Sequence, residues 1–364
     1  METWNGQLSR IVIHGFKSIK NCDIKLNCIN VMIGSNGAGK SNFISAFDML
    51  QNVISKNLQF WVQMNGLNSI FYNGRKTTEE ICFEIYSNTN SYGFTLVPTD
   101  DNRVIFKNEF LGYDGIIANA STAHEESKWE NTGNGAEVDF LKKDMLAKQN
   151  WRVYHFHDTS RSAKVKQVHM LSNNLVLMRD ASNLAAFLYR LKQYYPESYE
   201  EIVETIRLIA PYFNDFILLP QEGNMEQIIL KWQQKGTEDV FYASQLSDGT
   251  LRFICLAVLL LQPAELQPST IIIDEPELGL HPYAITVFAE MVKQISGYKQ
   301  IIISTQSVEL LNEFDVKDII VVDRGENGSE FKRLNEKELH IWLENDYALG
   351  DLWQKNLLGG RFSS

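Results

Sequence analysis

The chain has 364 residues, of which 44% are hydrophobic and 11% aromatic, and this composition excludes disorder of the whole chain. Its 34 lysines and arginines stand against 45 aspartates and glutamates, so the formal net charge is −11. A nucleic acid could therefore be held only by a local basic patch. The cysteines Cys22, Cys28, Cys82 and Cys255 form no CxxC pair, which is typical of reduced thiols in a cytosolic protein.

Two further features concern compartment and domain organisation. Residues 1–10 lack a basic-then-apolar signal pattern, and the longest apolar run, residues 254–261, is too short to cross a bilayer. We therefore expect a soluble, cytoplasmic protein with no membrane partner. The chain is longer than one compact core usually is, yet no Pro/Gly/Ser-rich linker divides it, which favours one core with a large insertion.

The first informative stretch is a strand candidate, residues 29–33, followed at once by the sequence GSNGAGKS. This GxxxxGKS pattern lets the backbone wrap around a phosphate, and it leads into a helix whose N-terminus attracts anions. The helix is indicated by Phe43, Phe47, Leu50 and Ile54, which recur at helical spacing. We therefore predict a phosphate-binding P-loop.

In such a loop Lys40 reaches the β- and γ-phosphates and Ser41 ligates Mg²⁺, so ATP and Mg²⁺ are the expected cofactors. The candidate ATP-binding residues are those of the loop and the position after it: Gly34, Ser35, Asn36, Gly37, Ala38, Gly39, Lys40, Ser41 and Asn42.

A second apolar strand candidate ends in two acids, in the sequence STIIIDEP at residues 269–276. This is a Walker B pattern, in which Asp274 holds Mg²⁺ through water and Glu275 orients and deprotonates the attacking water. A strand with merely solvent-facing acids would not explain the apolar run immediately before them.

Ser41 and Asp274 lie much further apart than the two motifs of compact P-loop kinases and GTPases, which indicates a large insertion. Shortly before the Walker B strand is the sequence LSDGTLRF at residues 246–253. Here Ser247 is predicted to cap a helix that runs to about Leu261, before Pro263.

The motifs GxxxxGKS, LSDGTLRF, IDEPELGLHP and TQS together resemble those of the SMC/RecF-like ABC ATPases, and in particular the AAA-21 type of bacterial predicted ATPases. The stretches HGFKS (14–18), WRVYHFHDTS (151–160) and LGDLWQKNLLGGR (349–361) are also similar to that family, so the resemblance covers nearly the whole chain.

The resemblance implies an α/β fold: an ABC-type, RecA-like P-loop ATPase head with an N-terminal antiparallel sheet and a mostly helical insertion. On this basis residues 1–91 form an N-terminal ATPase lobe, and residues 92–240 form an insertion that engages a partner or substrate. Residues 241–364 form a C-terminal lobe with the signature, Walker B and switch-loop motifs.

The resemblance also assigns roles to residues outside the P-loop. It adds Lys17 to the ATP contacts and places Gln306 in the switch loop, where most ABC proteins have histidine. Glutamine can hydrogen-bond a γ-phosphate but cannot become a cation, so we expect slow hydrolysis with Glu275 and Gln306 as the catalytic residues. The signature, which acts on the nucleotide of another subunit, comprises Leu246, Ser247, Asp248 and Gly249. The D-loop comprises Gly279, Leu280 and His281.

The insertion has mixed content. Residues 183–213 are predicted to form two amphipathic helices broken near Pro196, with Leu184, Phe187, Leu188 and Leu191 on one face. They either cover the ATPase lobe or form an arm that docks a partner. Residues 122–139 are polar and are predicted to be a mobile loop. No sustained heptads appear, so we expect no long coiled-coil arm.

The segment with His155, His157 and Asp158 invites a further interpretation, because alternate spacing puts both imidazoles on one face of a strand. One interpretation is a metal site. Zinc normally takes three or four protein ligands, so a structural or nucleotide-sensing role is favoured.

The densest basic run of the chain contains Arg161, Lys164, Lys166 and His169. Arg161, Lys164 and Lys166 are candidates for contacting nucleic-acid phosphates. A solvated basic loop explains the run equally well.

The resemblance implies a homodimer with two ATP molecules at its interface, which couples ATP state to a DNA-directed process such as repair or anti-phage defence with a separate nuclease or effector subunit. Two alternatives remain: a nucleotide-gated scaffold with negligible turnover, and a nuclease within the chain itself. The second is less favoured, because Asp315, Asp318 and Asp323 fit better as loop and strand-end acids of the ATPase lobe.

Overall fold

The structure is a computed structural model that describes residues 7–133, 142, 150–335, 337 and 348–358. The predicted loop at 122–139 and the family-like stretch at 349–361 therefore lie partly outside the described residues. The chain forms two compact units. The first unit comprises Met1–Val153, Ser269–Ile272 and Tyr298–Ser364, and the second comprises Tyr154–Pro268 and Ile273–Gly297.

The strands of the described residues are β1 Arg10–Phe16, β2 Ile19–Lys25, β3 Ile29–Ile33, β4 Ile81–Ser87, β5 Asn90–Pro98, β6 Val104–Tyr113, β7 Ile116–Asn119, β8 Trp151–Tyr154, β9 His169–Met170, β10 Phe213–Ile217, β11 Pro220–Gln221, β12 Asn224–Ile228, β13 Lys231–Gln234, β14 Val240–Tyr242, β15 Thr270–Asp274, β16 Gln300–Thr305, β17 Ile319–Gly325 and β18 Gly328–Arg333.

The helices of the described residues are α1 Lys40–Ile54, α2 Leu58–Asn65, α3 Leu67–Ile70, α4 Leu184–Tyr194, α5 Pro196–Ile209, α6 Asp248–Leu261, α7 Pro282–Ile295, α8 Val308–Asn312 and α9 Leu349–Gln354.

An antiparallel sheet at the N-terminus has the strand order β2-β1-β4-β5-β6-β7. Burial alternates along β4, as expected when one face of a sheet covers a core. Phe83 and Phe94 stack on that buried face with ring centroids 5.4 Å apart. The predicted N-terminal antiparallel sheet is confirmed, and it continues through Asn119, beyond residue 92 where the sequence places the start of the insertion.

The second sheet has the order β18-β17-β3-β16-β15-β8. Strand β3 pairs in parallel with β16 and β17, whereas β17 and β18 pair antiparallel. Every residue of β3 and β16 is buried, which explains the four apolar residues of β3 and the apolar run at residues 301–303 of β16. This sheet is the core of the α/β fold.

Helix α1 follows β3 after the glycine-rich loop, as predicted. Phe43, Phe47, Leu50 and Ile54 are all buried along it. Phe43 also packs against Phe331, with ring centroids 5.3 Å apart. Packing of this apolar face fixes the helix, and therefore the loop at its start.

The second unit contains the two predicted amphipathic helices. They are α4 and α5, the chain breaks between them before Pro196, and Leu184, Phe187, Leu188 and Leu191 are buried. Two small sheets, with orders β10-β13-β14 and β11-β12-β9, accompany them. The part of residues 92–240 that the structure describes is therefore more β-rich than the expected mostly helical insertion.

A search of the described residues finds no helix whose length and apolarity would suffice to span a membrane.

Candidate nucleotide-binding site

The glycine-rich loop joins β3 to α1 within the first unit. Gly39 has φ 119°, in the region that favours glycine, and a Cβ there would lie 2.0 Å from Ser329 Oγ. A Cβ on Gly34 would lie 2.3 Å from the Val322 carbonyl oxygen. Side chains are therefore excluded at both positions, because the loop packs closely against β17 and β18.

Lys40 begins α1 and is 4% exposed. Its Nζ donates to the carbonyl oxygens of Gly34 at 2.5 Å and Ser35 at 3.2 Å. The ammonium is thus held inside the loop, where a phosphate oxygen can replace a carbonyl as its acceptor. Ser41 is exposed at the first turn of the same helix.

Lys17 and Asn42, the other candidate ATP contacts, bond to protein groups near the loop. Lys17 has φ 49°, its Nζ donates to Ser45 Oγ at 2.6 Å, and burial lowers the pKa of its ammonium. Asn42 Nδ2 donates to Ser18 Oγ at 2.6 Å. Both side chains position α1 against the turn after β1.

The signature segment lies in the second unit, and the predicted capped helix is confirmed as α6. Ser247 Oγ accepts a hydrogen bond from the Thr250 backbone amide at 3.1 Å. Leu246 is buried, whereas Ser247 and Asp248 are exposed. The N-terminus of α6 therefore has Ser247 and Asp248 at the surface, and a helix N-terminus attracts anions.

The D-loop contacts this helix closely. A Cβ on Gly249 would lie 2.4 Å from the Gly279 carbonyl oxygen, and Gly279 has φ 73°. Leu280 follows it, and His281 caps α7 by accepting from the Tyr283 amide at 3.3 Å through Nδ1. The two motifs pack backbone to backbone within the second unit.

Strand β15 carries the Walker B acids at its end. Asp274 is partly buried, and its Oδ1 is buried with no hydrogen-bond partner. Glu275 has φ 44°, a left-handed conformation that is strained for a glutamate. Strain of this kind is concentrated at functional sites. An unpartnered carboxylate oxygen also fits residues that hold a cation, because burial without compensation is costly.

Arg252 is a connecting residue that the motif analysis missed. It lies on the buried α6, is 5% exposed, and donates to the carbonyl oxygens of Phe156 at 2.9 Å, His157 at 3.1 Å and Leu278. One guanidinium therefore ties the signature helix to the D-loop and to the histidine segment. An arginine in an otherwise apolar helix is the sequence signal that could have indicated it, because a buried charge requires acceptors.

The histidine segment turns toward the Walker B strand. His155 Nδ1 lies 3.6 Å from Asp274 Oδ2, and His157 Nε2 lies 2.8 Å from the Asp274 carbonyl oxygen. Burial lowers the pKa of the His155 imidazole. Asp158 is exposed and accepts from the Ser160 amide instead. The structure therefore groups the two histidines with Asp274 and not with Asp158.

The basic run is only partly available to a polyanion. The side chain of Lys164 is 73% exposed and lies 3.3 Å from Asp180, and Arg161 is exposed. Lys166 is different: its side chain is 6% exposed, donates to Thr159 and lies 3.4 Å from Asp248. The prediction that Lys166 contacts nucleic acid is not supported, because this ammonium is buried beside the signature aspartate.

Gln306 follows β16 and is half-buried. Ser307 then caps α8 by accepting from the Leu310 amide at 3.1 Å. The switch-loop glutamine is therefore placed between a fully buried strand and a capped helix.

The fold and these motifs define the class as an ABC-type ATPase head of the SMC/RecF-like kind. Residues 29–312 match the family described as "AAA domain, putative AbiEii toxin, Type IV TA system", and the chain belongs to this family.

Relatives and solved structures agree with this class. A stretch of 76 residues is 37% identical to the DNA replication and repair protein RecF of Aliivibrio salmonicida (strain LFI1238), covering 20% of this chain and 21% of that protein. The chain thus spans about a fifth of the length of the curated relatives it matches.

Two SMC heads share the fold. The crystal structure of the SMC head bound to the C-winged helix domain of ScpA has a TM-score of 0.62 at 16% identity, covering 92% of this chain and 99% of that chain. The SMC head domain with an extended coiled coil bound to the C-terminal domain of ScpA, derived from Pyrococcus furiosus, has a TM-score of 0.55 at 16% identity, covering 93% and 99%.

We expect Arg252→Ala to lower the free energy of unfolding by at least about 3 kcal/mol, because backbone carbonyls lose a charged donor. Arg252→Lys should recover only part of this loss, since an ammonium cannot reproduce the planar fork. Urea denaturation measures both, with the exposed Arg161→Ala as a control expected within about 0.5 kcal/mol of wild type. A loss below about 1 kcal/mol for Arg252→Ala would contradict the connecting role.

Proposed function

We propose that this chain is a dimerising ATPase switch that couples ATP binding and slow hydrolysis to a DNA-directed process. The observation that carries the proposal is the glycine-rich loop, which excludes side chains at Gly34 and Gly39 and holds the Lys40 ammonium at the start of α1. A glycine-rich loop, a buried cation and a helix N-terminus together are the recognition chemistry for a nucleotide polyphosphate.

Mg²⁺ is the expected cation, with Ser41 and Asp274 as its protein ligands. The unpartnered Oδ1 of Asp274 fits this role. When bound, Mg²⁺ would neutralise phosphate charge. Lys40 neutralises the β- and γ-phosphates, Glu275 accepts a proton from the attacking water, and Gln306 donates a hydrogen bond to the γ-phosphate.

The signature acts on the nucleotide of a second copy of the chain. Ser247 and Asp248 are exposed at the free N-terminus of α6, where Ser247 and the amide of Gly249 would meet a γ-phosphate. Two ATP molecules would then lie at a two-fold interface, each between Lys40 and Ser41 of one protomer and the signature of its partner.

The process served by this switch is proposed to be DNA repair or anti-phage defence, with a separate nuclease or effector subunit. Support comes from the family's description as an AbiEii-type toxin domain, from the stretch shared with a RecF, and from the SMC-head fold. Since the net charge is −11, DNA contact requires a local basic surface such as that of Arg161 and Lys164.

A second candidate function is a nucleotide-gated scaffold with negligible turnover. The observation that favours it is Gln306 at the switch-loop position, since a glutamine cannot carry the positive charge of a protonated histidine. Measured ATP turnover separates this candidate from the ATPase switch.

We expect Glu275→Gln to retain ATP binding, to lower hydrolysis at least about 100-fold and to stabilise the ATP-bound dimer, because only the proton acceptor is removed. Size-exclusion chromatography with and without ATP measures the dimer, and a Lys40→Ala, Glu275→Gln double variant serves as the control that cannot bind ATP. If Glu275→Gln binds ATP but stays monomeric, the dimeric mechanism is wrong.

Gln306→His should change the ATP turnover rate several-fold and leave nucleotide affinity within about threefold, because Gln306 contacts only the γ-phosphate in this mechanism. Steady-state turnover and binding of a fluorescent ATP analogue measure the two effects. The same substitution at exposed Gln294 on α7 is the matched control. An unchanged rate would remove Gln306 from the mechanism.

A further inference from the structure

We propose that His155, His157 and Asp274, the imidazole cluster, form a binding site for a transition-metal divalent cation such as Zn²⁺. One ring nitrogen of each histidine and a carboxylate oxygen of Asp274 all lie within 4.8 Å of one another. The centroids of the two imidazole rings are 5.9 Å apart, and the ring planes lie at 70° to each other.

The spacing of His155 and Asp274 is that of two metal ligands rather than of a hydrogen bond. His155 Nδ1 and Asp274 Oδ2 are 3.6 Å apart, beyond the usual hydrogen-bond range. Two ligands of a tetrahedral Zn²⁺, each about 2.0–2.1 Å from the metal, stand roughly 3.4 Å from each other. A small rotation of the imidazole therefore suffices to place one cation between these two atoms.

The hydrogen bonding of His157 leaves a nitrogen for the metal. Its Nε2 lies 2.8 Å from the Asp274 carbonyl oxygen, which can only accept, so Nε2 carries the proton in the neutral ring. The lone pair is then on Nδ1. A histidine fixed in this way, with one nitrogen bonded to a backbone carbonyl, is the usual arrangement of a metal ligand.

Asp274 supplies the charge that requires compensation. Its side chain is 12% exposed, and Oδ1 is buried with no hydrogen-bond partner. The ion pair that the structure gives Asp274 is with His155 Nδ1, at 3.6 Å from Oδ2. A cation held by the cluster would offset the cost of burying this oxygen.

The donor set selects the class of cation. Carboxylate and water oxygens suit Mg²⁺, whereas imidazole nitrogens suit Zn²⁺ and its transition-metal neighbours. Three protein ligands leave a position open for water or another ligand. On the basis of the proposed function, in which Asp274 serves the nucleotide's Mg²⁺, a transition metal in the cluster would compete for this carboxylate and hold the ATPase inactive.

Co²⁺ is the probe that tests the site, since it substitutes for Zn²⁺ and absorbs visible light. The full chain, stripped with a chelator and free of nucleotide, should bind one Co²⁺ that excess Zn²⁺ displaces and that millimolar Mg²⁺ does not. His155→Ala and His157→Ala should each weaken binding at least about 10-fold, while His169→Ala, outside the cluster, should leave it unchanged.

His155→Asp distinguishes a lost ligand from a damaged fold. It keeps a ligand oxygen but replaces imidazole, so it should shift the preference from Co²⁺ toward Mn²⁺. Absence of saturable Co²⁺ binding, or equal binding by wild type and both histidine-to-alanine variants, would overturn the site. Binding of a fluorescent ATP analogue is measured in parallel. If the chain binds Co²⁺ but not the analogue, the proposed nucleotide function is wrong and the metal site is still supported.

Discussion

A buried ammonium at the start of helix α1 is the constraint on which the first unit depends. Lys40 is 4% exposed, and its Nζ bonds to the carbonyl oxygens of Gly34 and Ser35. Burying a cation costs several kcal/mol unless acceptors surround it, so the loop must close tightly around Lys40. Close approach of Val322 to Gly34 and of Ser329 to Gly39 produces that closure, and it requires glycine at both positions. The strands β3, β16 and β17 support the loop because apolar residues, such as those at 301–303 and 319–322, hold them in the core.

The second unit is organised around a different charge. Arg252 joins the signature helix to the D-loop carbonyl of Leu278 and to the carbonyls of the histidine segment. Gly249, three residues before Arg252 on α6, allows the D-loop backbone to approach. A shift of the D-loop or of the histidines would therefore be transmitted to α6, because their acceptors share one planar donor group. Within the second unit, Arg252 therefore gives the D-loop, the histidine segment and the signature helix a common physical link, which is the kind of link that the proposed function would use.

Local patterns predicted much of this arrangement. The glycine-rich loop, the Ser247 cap and the paired helices α4 and α5 follow from short-range spacing, and the structure has all three. The contacts of Arg252 and the grouping of His157 with Asp274 could not be predicted, since they join residues distant in the chain and many of the acceptors are backbone carbonyls.

Lys166 shows the same limit of prediction from sequence. The basic run was predicted to be exposed, yet tertiary packing buries the Lys166 side chain beside Asp248. The short strands β9 to β14 were missed because segments such as β12 lack an alternating apolar pattern.

Mixing a Lys40→Ala chain with a Ser247→Arg chain tests whether the P-loop of one protomer and the signature of its partner share each ATP. Each variant alone should be inactive. In a mixed dimer both lesions fall in one site, and the other site has an intact loop and an intact signature. With random exchange, roughly a quarter of wild-type ATPase should return, and labelled ATP should be trapped at one site per mixed dimer. If mixed dimers are shown to form but neither rescue nor trapping is observed, the two protomers do not share each ATP.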